Sequence, residues 1–138
     1  MRMLLGLSLL ITACQTEPRD EPAQHLPRPE DPSLTLLVTN QSFEHERVSL
    51  TIKIDGELAV TGDFDVEGQH TWVPFDFAIT PGEHALSIST ETSAMSFERP
   101  FTMTERNWGV VSYWGEEEVD RVPIELTVSF YDEEPHFD

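Results

Sequence analysis

Three groups of residues have types and spacings that could do chemistry. In Asp63-Phe64-Asp65-Val66-Glu67-Gly68, carboxylates recur at alternate positions with a glycine sixth, which is how a calcium-binding EF-hand loop opens. The pattern then breaks: the twelfth position is Pro74, where such a loop needs a bidentate glutamate, and the flanks alternate in strand rather than helix period. What remains is a looser site. Asp63, Asp65 and Glu67 on one strand face would repel one another until a cation neutralised them. Against calcium stands the simpler reading of a solvated strand end, and Glu116-Glu117-Glu118-Val119-Asp120 reads as an acidic loop for the same reason.

The second group is aromatic. Trp72 stands opposite the apolar face of its own strand, with His70 and Asp76, and is expected to be exposed. In Asn107-Trp108-Gly109-Val110-Val111-Ser112-Tyr113-Trp114 two registers are open. One puts Trp108 and Trp114 in the core and leaves Tyr113 outside; the other turns both tryptophans outward. Exposed Trp72 and Tyr113 could stack sugar rings while nearby carboxylates bond hydroxyls, so a glycan is a candidate partner. In a domain this small, the alternative use of such rings is as core.

The third group, the histidines, gives little. His45, His70 and His84 fall in three separate segments, with no HExxH, GxSxG or glycine-rich phosphate loop, and His25 sits alone in polar sequence. Carboxylates could pair for glycoside hydrolysis, but their abundance makes such pairs expected by chance. A non-catalytic protein is expected, with no cofactor unless calcium. The 26 acidic against 8 basic residues give a formal charge of -18, and Lys53 is the single lysine. Nucleic acid is excluded as a partner, since phosphate binding requires a basic patch. Such acidity suits an aggregation-resistant surface in a saline medium, or attraction of cations and basic partners.

The amino terminus carries the most specific pattern. Met1-Arg2 is followed by the apolar run Met3 to Ile11, too short to span a bilayer, which takes about 20 helical residues. The run ends in Ile11-Thr12-Ala13-Cys14, which resembles the lipobox of bacterial lipoproteins: a branched apolar residue, two small ones, then cysteine. The resemblance implies that the Cys14 thiol receives a diacylglyceryl group, that residues 1–13 are removed as a signal peptide, and that the mature chain is anchored to a cell membrane by lipid. One acyl chain binds marginally and two or three hold effectively permanently. Gln15 is not the aspartate associated with inner-membrane retention in enteric bacteria, so the resemblance favours the outer membrane where there is one.

Elements that must position these residues follow. Residues 14–33 comprise the cysteine and a stretch with Pro18, Pro22, Pro27, Pro29 and Pro32 and almost no large apolar side chain. They read as a disordered, partly polyproline tether reaching on the order of 60 Å when extended. Beyond Ser33, apolar and polar residues alternate: Leu34 to Val38, Val48 to Ile54, Leu58 to Val66, Thr71 to Ile79, Leu86 and Ile88, Met95 to Met103, Trp108 to Trp114, and Ile124 to Phe130. Asp55-Gly56 marks a type I′ hairpin and Asn40-Gln41-Ser42, despite its glycosylation pattern, a turn.

Eight short strands predict an all-β, antiparallel β-sandwich over residues 34–138. Pro81-Gly82-Glu83-His84-Ala85-Leu86-Ser87-Ile88 is similar to the turn and outgoing strand of immunoglobulin-like and transthyretin-like modules of bacterial surface proteins. The expected whole is an acidic, immunoglobulin-like sandwich on a lipid anchor, serving as an accessory or interaction module of the cell envelope, with an envelope protein or glycan as partner. A carbohydrate- or calcium-binding surface module is the alternative, and a hydrolase a distant one.

Overall fold

The computed structural model describes residues 20–42, 45–66, 71–114 and 125–137. Within them the chain forms two packed sheets. The strands are β1 (Ala23–Gln24), β2 (Leu34–Asn40), β3 (Arg47–Ile54), β4 (Glu57–Asp65), β5 (Val73–Phe77), β6 (Gly82–Thr90), β7 (Met95–Met103), β8 (Asn107–Trp114) and β9 (Glu125–Tyr131). One sheet runs β1-β4-β3-β6-β7 and the other β5-β2-β8-β9. This is the expected β-sandwich, with one strand more than the eight read from the alternation. All pairs are antiparallel except β2 with β8, where Leu34 to Asn40 run alongside Asn107 to Tyr113. No helix among the described residues is long and apolar enough to cross a membrane.

Alternation builds the core. In β3, Val48, Leu50, Ile52 and Ile54 are buried while Arg47 and Lys53 face outward, and in β2 Leu34, Leu36 and Val38 are wholly buried. Each such aliphatic side chain contributes about 1.5–3 kcal/mol when removed from water. The β3–β4 turn has Asp55 at φ 51° and Gly56 at φ 80°, the two positive values a type I′ turn requires. Between Ile52 and Lys53 the register slips, because Ala59 is an extra residue on β4; Ala59 and Val60 are consecutive in sequence and both fully buried.

The segment expected to be a free tether is docked from Asp20 onward. Ala23 pairs with Thr61 and Gln24 with Val60, His25 N donates to Ala59 O (2.8 Å), and Asp63 N donates to Asp20 O (2.7 Å). Leu26 packs on the core, Gln24 Nε2 donates to Asp76 O (2.7 Å), and Arg28 pairs with Asp76 (3.0 Å). The segment thus covers the edge of β4 and reaches over to β5 in the other sheet. Few apolar side chains are needed for this, because an unpaired sheet edge offers backbone donors and acceptors to any extended chain. At the opposite edge Phe101 on β7 stacks on Phe130 on β9 (4.6 Å, 8°), and Arg99 Nη1 donates to Val128 O. Pro100 lies in β7, an edge strand, where a missing N–H is tolerated.

Gly62 makes the docking at β4 possible. It has φ +151°, and a Cβ there would lie 2.4 Å from Pro22 Cα and 2.8 Å from Glu21 O. Backbone cannot yield as a flexible side chain would. Gly62→Ala is therefore expected to destabilise the fold by about 1–3 kcal/mol, as overpacking does, and to lift the amino-terminal segment off β4. Hydrogen exchange reads this as lost protection of the His25 amide, which is bonded to Ala59 O in the docked segment; unchanged protection and an unchanged melting curve would contradict it.

Candidate functional site

Of the residues put forward for chemistry, Asp63, Asp65, Trp72, Tyr113 and His84 each meet a partner within the chain. Asp63 and Asp65 share the outward face of β4, as alternation demands. Asp63 Oδ1 accepts from Ser49 Oγ (2.5 Å) and its Oδ2 from Asp20 N (3.2 Å), while Asp65 Oδ1 accepts from Arg47 Nε (3.1 Å). The cross-strand register explains this, since β3 places Ser49 opposite Asp63 and Arg47 opposite Asp65. Glu67 lies outside the described residues, as do His70, Cys14 and the run Glu116 to Asp120. Among the described residues no three His, Cys, Asp or Glu side chains group closely enough to hold a metal ion.

Tyr113 is not an exposed stacking residue. It is fully buried, with its hydroxyl 3.1 Å from His45 Nδ1 and its ring edge-on to that imidazole at 5.9 Å. The register of β8 is the one that turns both tryptophans outward: Trp114 is 43% exposed, and Trp108 is half-buried under the Arg106 guanidinium, 4.3 Å from its ring. Trp72 precedes β5 and is half-buried. Phe137 lies parallel to it, with ring centroids 4.1 Å apart and planes 7° off parallel. The turn reading of Asn40 is correct in detail, since its Oδ1 accepts from Ser42 N (2.9 Å) and its Nδ2 donates to Phe64 O and His45 O (3.0 Å each).

Two polar clusters were missed by sequence reasoning, because each joins residues far apart in the chain. Asp76 accepts from Thr35 Oγ1 (2.6 Å) and Arg28, and Arg106 Nη2 donates to Thr35 Oγ1 (2.7 Å). The Thr35 hydroxyl first, and then Arg28, hold the Asp76 carboxyl below the usual carboxylate range. The second cluster is His84 with Asp55. His84 Nδ1 lies 2.5 Å from Asp55 Oδ2 and Nε2 lies 2.7 Å from Thr80 O, while Ala85 N donates to Asp55 Oδ1 (2.9 Å). Both partners of the ring are acceptors, so the arrangement suits the doubly protonated imidazolium. Bonding to Asp55 accordingly raises the His84 pKa above its ordinary value and lowers that of Asp55.

That geometry decides against reading His84 and Asp55 as a catalytic dyad. A general base needs one ring nitrogen with a lone pair aimed at substrate, and here both nitrogens are spent on the protein. On the outer face of the five-stranded sheet, a groove of about 710 Å³ is lined by Asp20, Ser49, Thr51, Thr61, Asp63 and Ser89. Its floor is bonded to itself through Ser49–Asp63 and Thr51–Thr61. No family model, curated protein or solved structure matches the chain.

The His84 cluster links the Asp55-Gly56 turn to the turn before β6, and its contribution to stability depends on pH. With the folded pKa of His84 raised from 6.5, its contribution is complete below 6.5 and disappears as pH rises through the folded value. With the folded pKa of Asp55 lowered from 3.8, that contribution is present above 3.8 and disappears as pH falls through the folded value. Stabilisation is thus greatest between those limits. Asp55 is half exposed, so the effect is modest. The melting temperature is expected to fall by about 2–4 °C between pH 6 and pH 9, and His84→Gln should remove that slope; a variant keeping the full slope would refute the assignment.

Proposed function

We propose that this chain is a lipid-anchored module of the bacterial cell envelope that works by presenting surface rather than by catalysis. The anchoring half is supported by Ile11-Thr12-Ala13-Cys14 at the end of a short apolar run. The observation that carries the other half is that the described candidates for chemistry are committed within the chain: Asp63 to Ser49, Asp65 to Arg47, His84 to Asp55 and Thr80, and Tyr113 to His45. Side chains held in this way stabilise and orient a scaffold.

Docking of the amino-terminal segment changes the length of the leash. Among the described residues docking starts at Asp20, six residues beyond Cys14. Six residues reach at most about 20 Å, not the roughly 60 Å of a wholly free tether. The sandwich then rides close to the headgroups with its β1–β4 edge toward them, leaving the outer faces of both sheets reachable. At full reach that separation exceeds the Debye length of about 8 Å at physiological salt, and repulsion between an acidic domain and anionic lipid is then screened.

The reading is tested in a bacterial host by following the full chain and Cys14→Ser. The parent is expected in the membrane fraction with the mass of an acylated chain beginning at Cys14, and the variant in the soluble fraction, uncleaved or cleaved elsewhere. A parent protein carrying residues 1–13 and an unmodified thiol would overturn it.

A further inference from the structure

Asp55-Gly56 is the single place in the chain where an aspartate or asparagine precedes a glycine. Such a step is chemically labile, because the glycine amide nitrogen can attack the side-chain carboxyl carbon of the preceding residue and close a five-membered imide. Glycine favours the attack by leaving its nitrogen unshielded, and around Gly56 there is open space, with nothing within 4 Å of where a Cβ would stand. The Asp55 side chain is 50% exposed, so water reaches it.

The chemistry balances with water alone. A bond forms between Gly56 N and Asp55 Cγ, and one carboxyl oxygen leaves as water, taking the Gly56 N–H proton and the proton of the neutral carboxyl. Water then opens the imide. Cleavage between Gly56 N and Cγ restores aspartate. Cleavage between Gly56 N and the Asp55 carbonyl carbon leaves the chain running through Cγ, an isoaspartate with its free carboxylate on Cα. That product adds a backbone atom to the two-residue link between Ile54 and Glu57, which are paired with each other.

Two features of the fold keep the reacting atoms apart. The first is the turn, which has Asp55 at φ 51° and Gly56 at φ 80°. In a type I′ turn ψ of the first central residue is about +30°, which sets Gly56 N and Asp55 Cβ on opposite sides of the Cα–C bond, whereas ring closure needs them on the same side. The second is a clamp from β6. Ala85 N donates to Asp55 Oδ1 (2.9 Å), His84 Nδ1 lies 2.5 Å from Oδ2, and Asp55 N donates to Ala85 O (2.9 Å). His84 is itself fixed, with Nε2 2.7 Å from Thr80 O and its ring against Phe101 (5.7 Å). The same bonds hold the Asp55 carboxyl below its ordinary pKa, and an ionised carboxylate has no hydroxyl to lose.

We propose that Asp55-Gly56 is a site of spontaneous isoaspartate formation guarded by His84, so that isoaspartate accumulates in copies whose β3–β4 turn has come away from β6. Local opening of this kind precedes global unfolding in folded domains. The modification is independent of the lipid and of the surface-presenting role.

The test uses the full chain with Cys14→Ser, alone and with His84→Ala, His84→Gln or Tyr113→Phe, held at neutral pH below the melting temperature of each. Endoproteinase Asp-N cuts before aspartate and not before isoaspartate, so the uncut Ile54–Asp55 fraction, read by mass, reports conversion. His84→Ala should raise the rate roughly two- to tenfold, the gain in released carboxylate expected from losing one ordinary hydrogen bond. His84→Gln, which keeps a donor for Asp55, should fall between that variant and the parent. Tyr113→Phe removes the hydroxyl bonded to His45, at the other end of β3, and should convert at the parental rate. In urea all four chains should convert alike and faster than the folded parent. Parental rates in both His84 variants, or an equal rise in Tyr113→Phe, overturn the guarding role of His84. A folded parent converting as fast as the denatured chain overturns protection by the turn.

Discussion

Two sheets with one apolar face each have to be pressed together, and everything else in this molecule is arranged around that requirement. The inward rows of β2, β3 and β6 consist of Leu, Ile and Val at alternate positions, fully or almost fully removed from water. Aromatic pairs close the space between the sheets at its two sides, Phe64 against Phe75 (6.2 Å, 74°) and Phe101 against Phe130. A period of two fixes which side chains face solvent as firmly as which face the core. The hydroxyls and carboxylates of β4, and the tryptophans of β8, are therefore outward by the same constraint.

A sandwich leaves edges to deal with, and here one of them is handled by a short segment that lacks secondary structure signals. The amino-terminal segment lies along β4 and bridges to β5 through Gln24 and Arg28, joining the sheets at one side. At the other side β7 carries Pro100, while Arg99 reaches across to a carbonyl of β9, both of which discourage pairing with another chain. Beyond β9, Phe137 stacks on Trp72 next to β5. A bulge at Ala59 and the absence of a side chain at Gly62 shape the β4 edge to receive its cover.

Strands were legible wherever one parity was apolar and the other polar. Val48 to Ile54 is such a case, and Asp55-Gly56 fixed its turn. β8 was ambiguous because Trp108, Val110 and Trp114 on one parity compete with Val111 and Tyr113 on the other. Volume settles it: Gly109 lies inward where a Cβ would come 2.7 Å from Leu36, and a row holding two tryptophans would not fit there. Tyr113 fits because His45, from a loop far back in the chain, meets its hydroxyl. The docked segment from Asp20 was illegible in principle. It is held largely by backbone hydrogen bonds, which any polar, proline-containing sequence can supply, and composition reports only what side chains can bury.

The same reasoning accounts for the carboxylates. Alternation placed Asp63 and Asp65 side by side on one face, which was legible, but their partners depend on the β3–β4 register, which a single strand does not display. Pairing each carboxylate with a donor on the neighbouring strand satisfies it without a cation. The consequence reaches beyond that strand. A chain with a formal charge of -18 has few cations to distribute, and Arg28, Arg47 and Arg106 are spent on Asp76, Asp65 and the Trp108–Thr35 corner. The acidic segment after β9 meets the rest of the chain instead through an uncharged contact, the stack of Phe137 on Trp72.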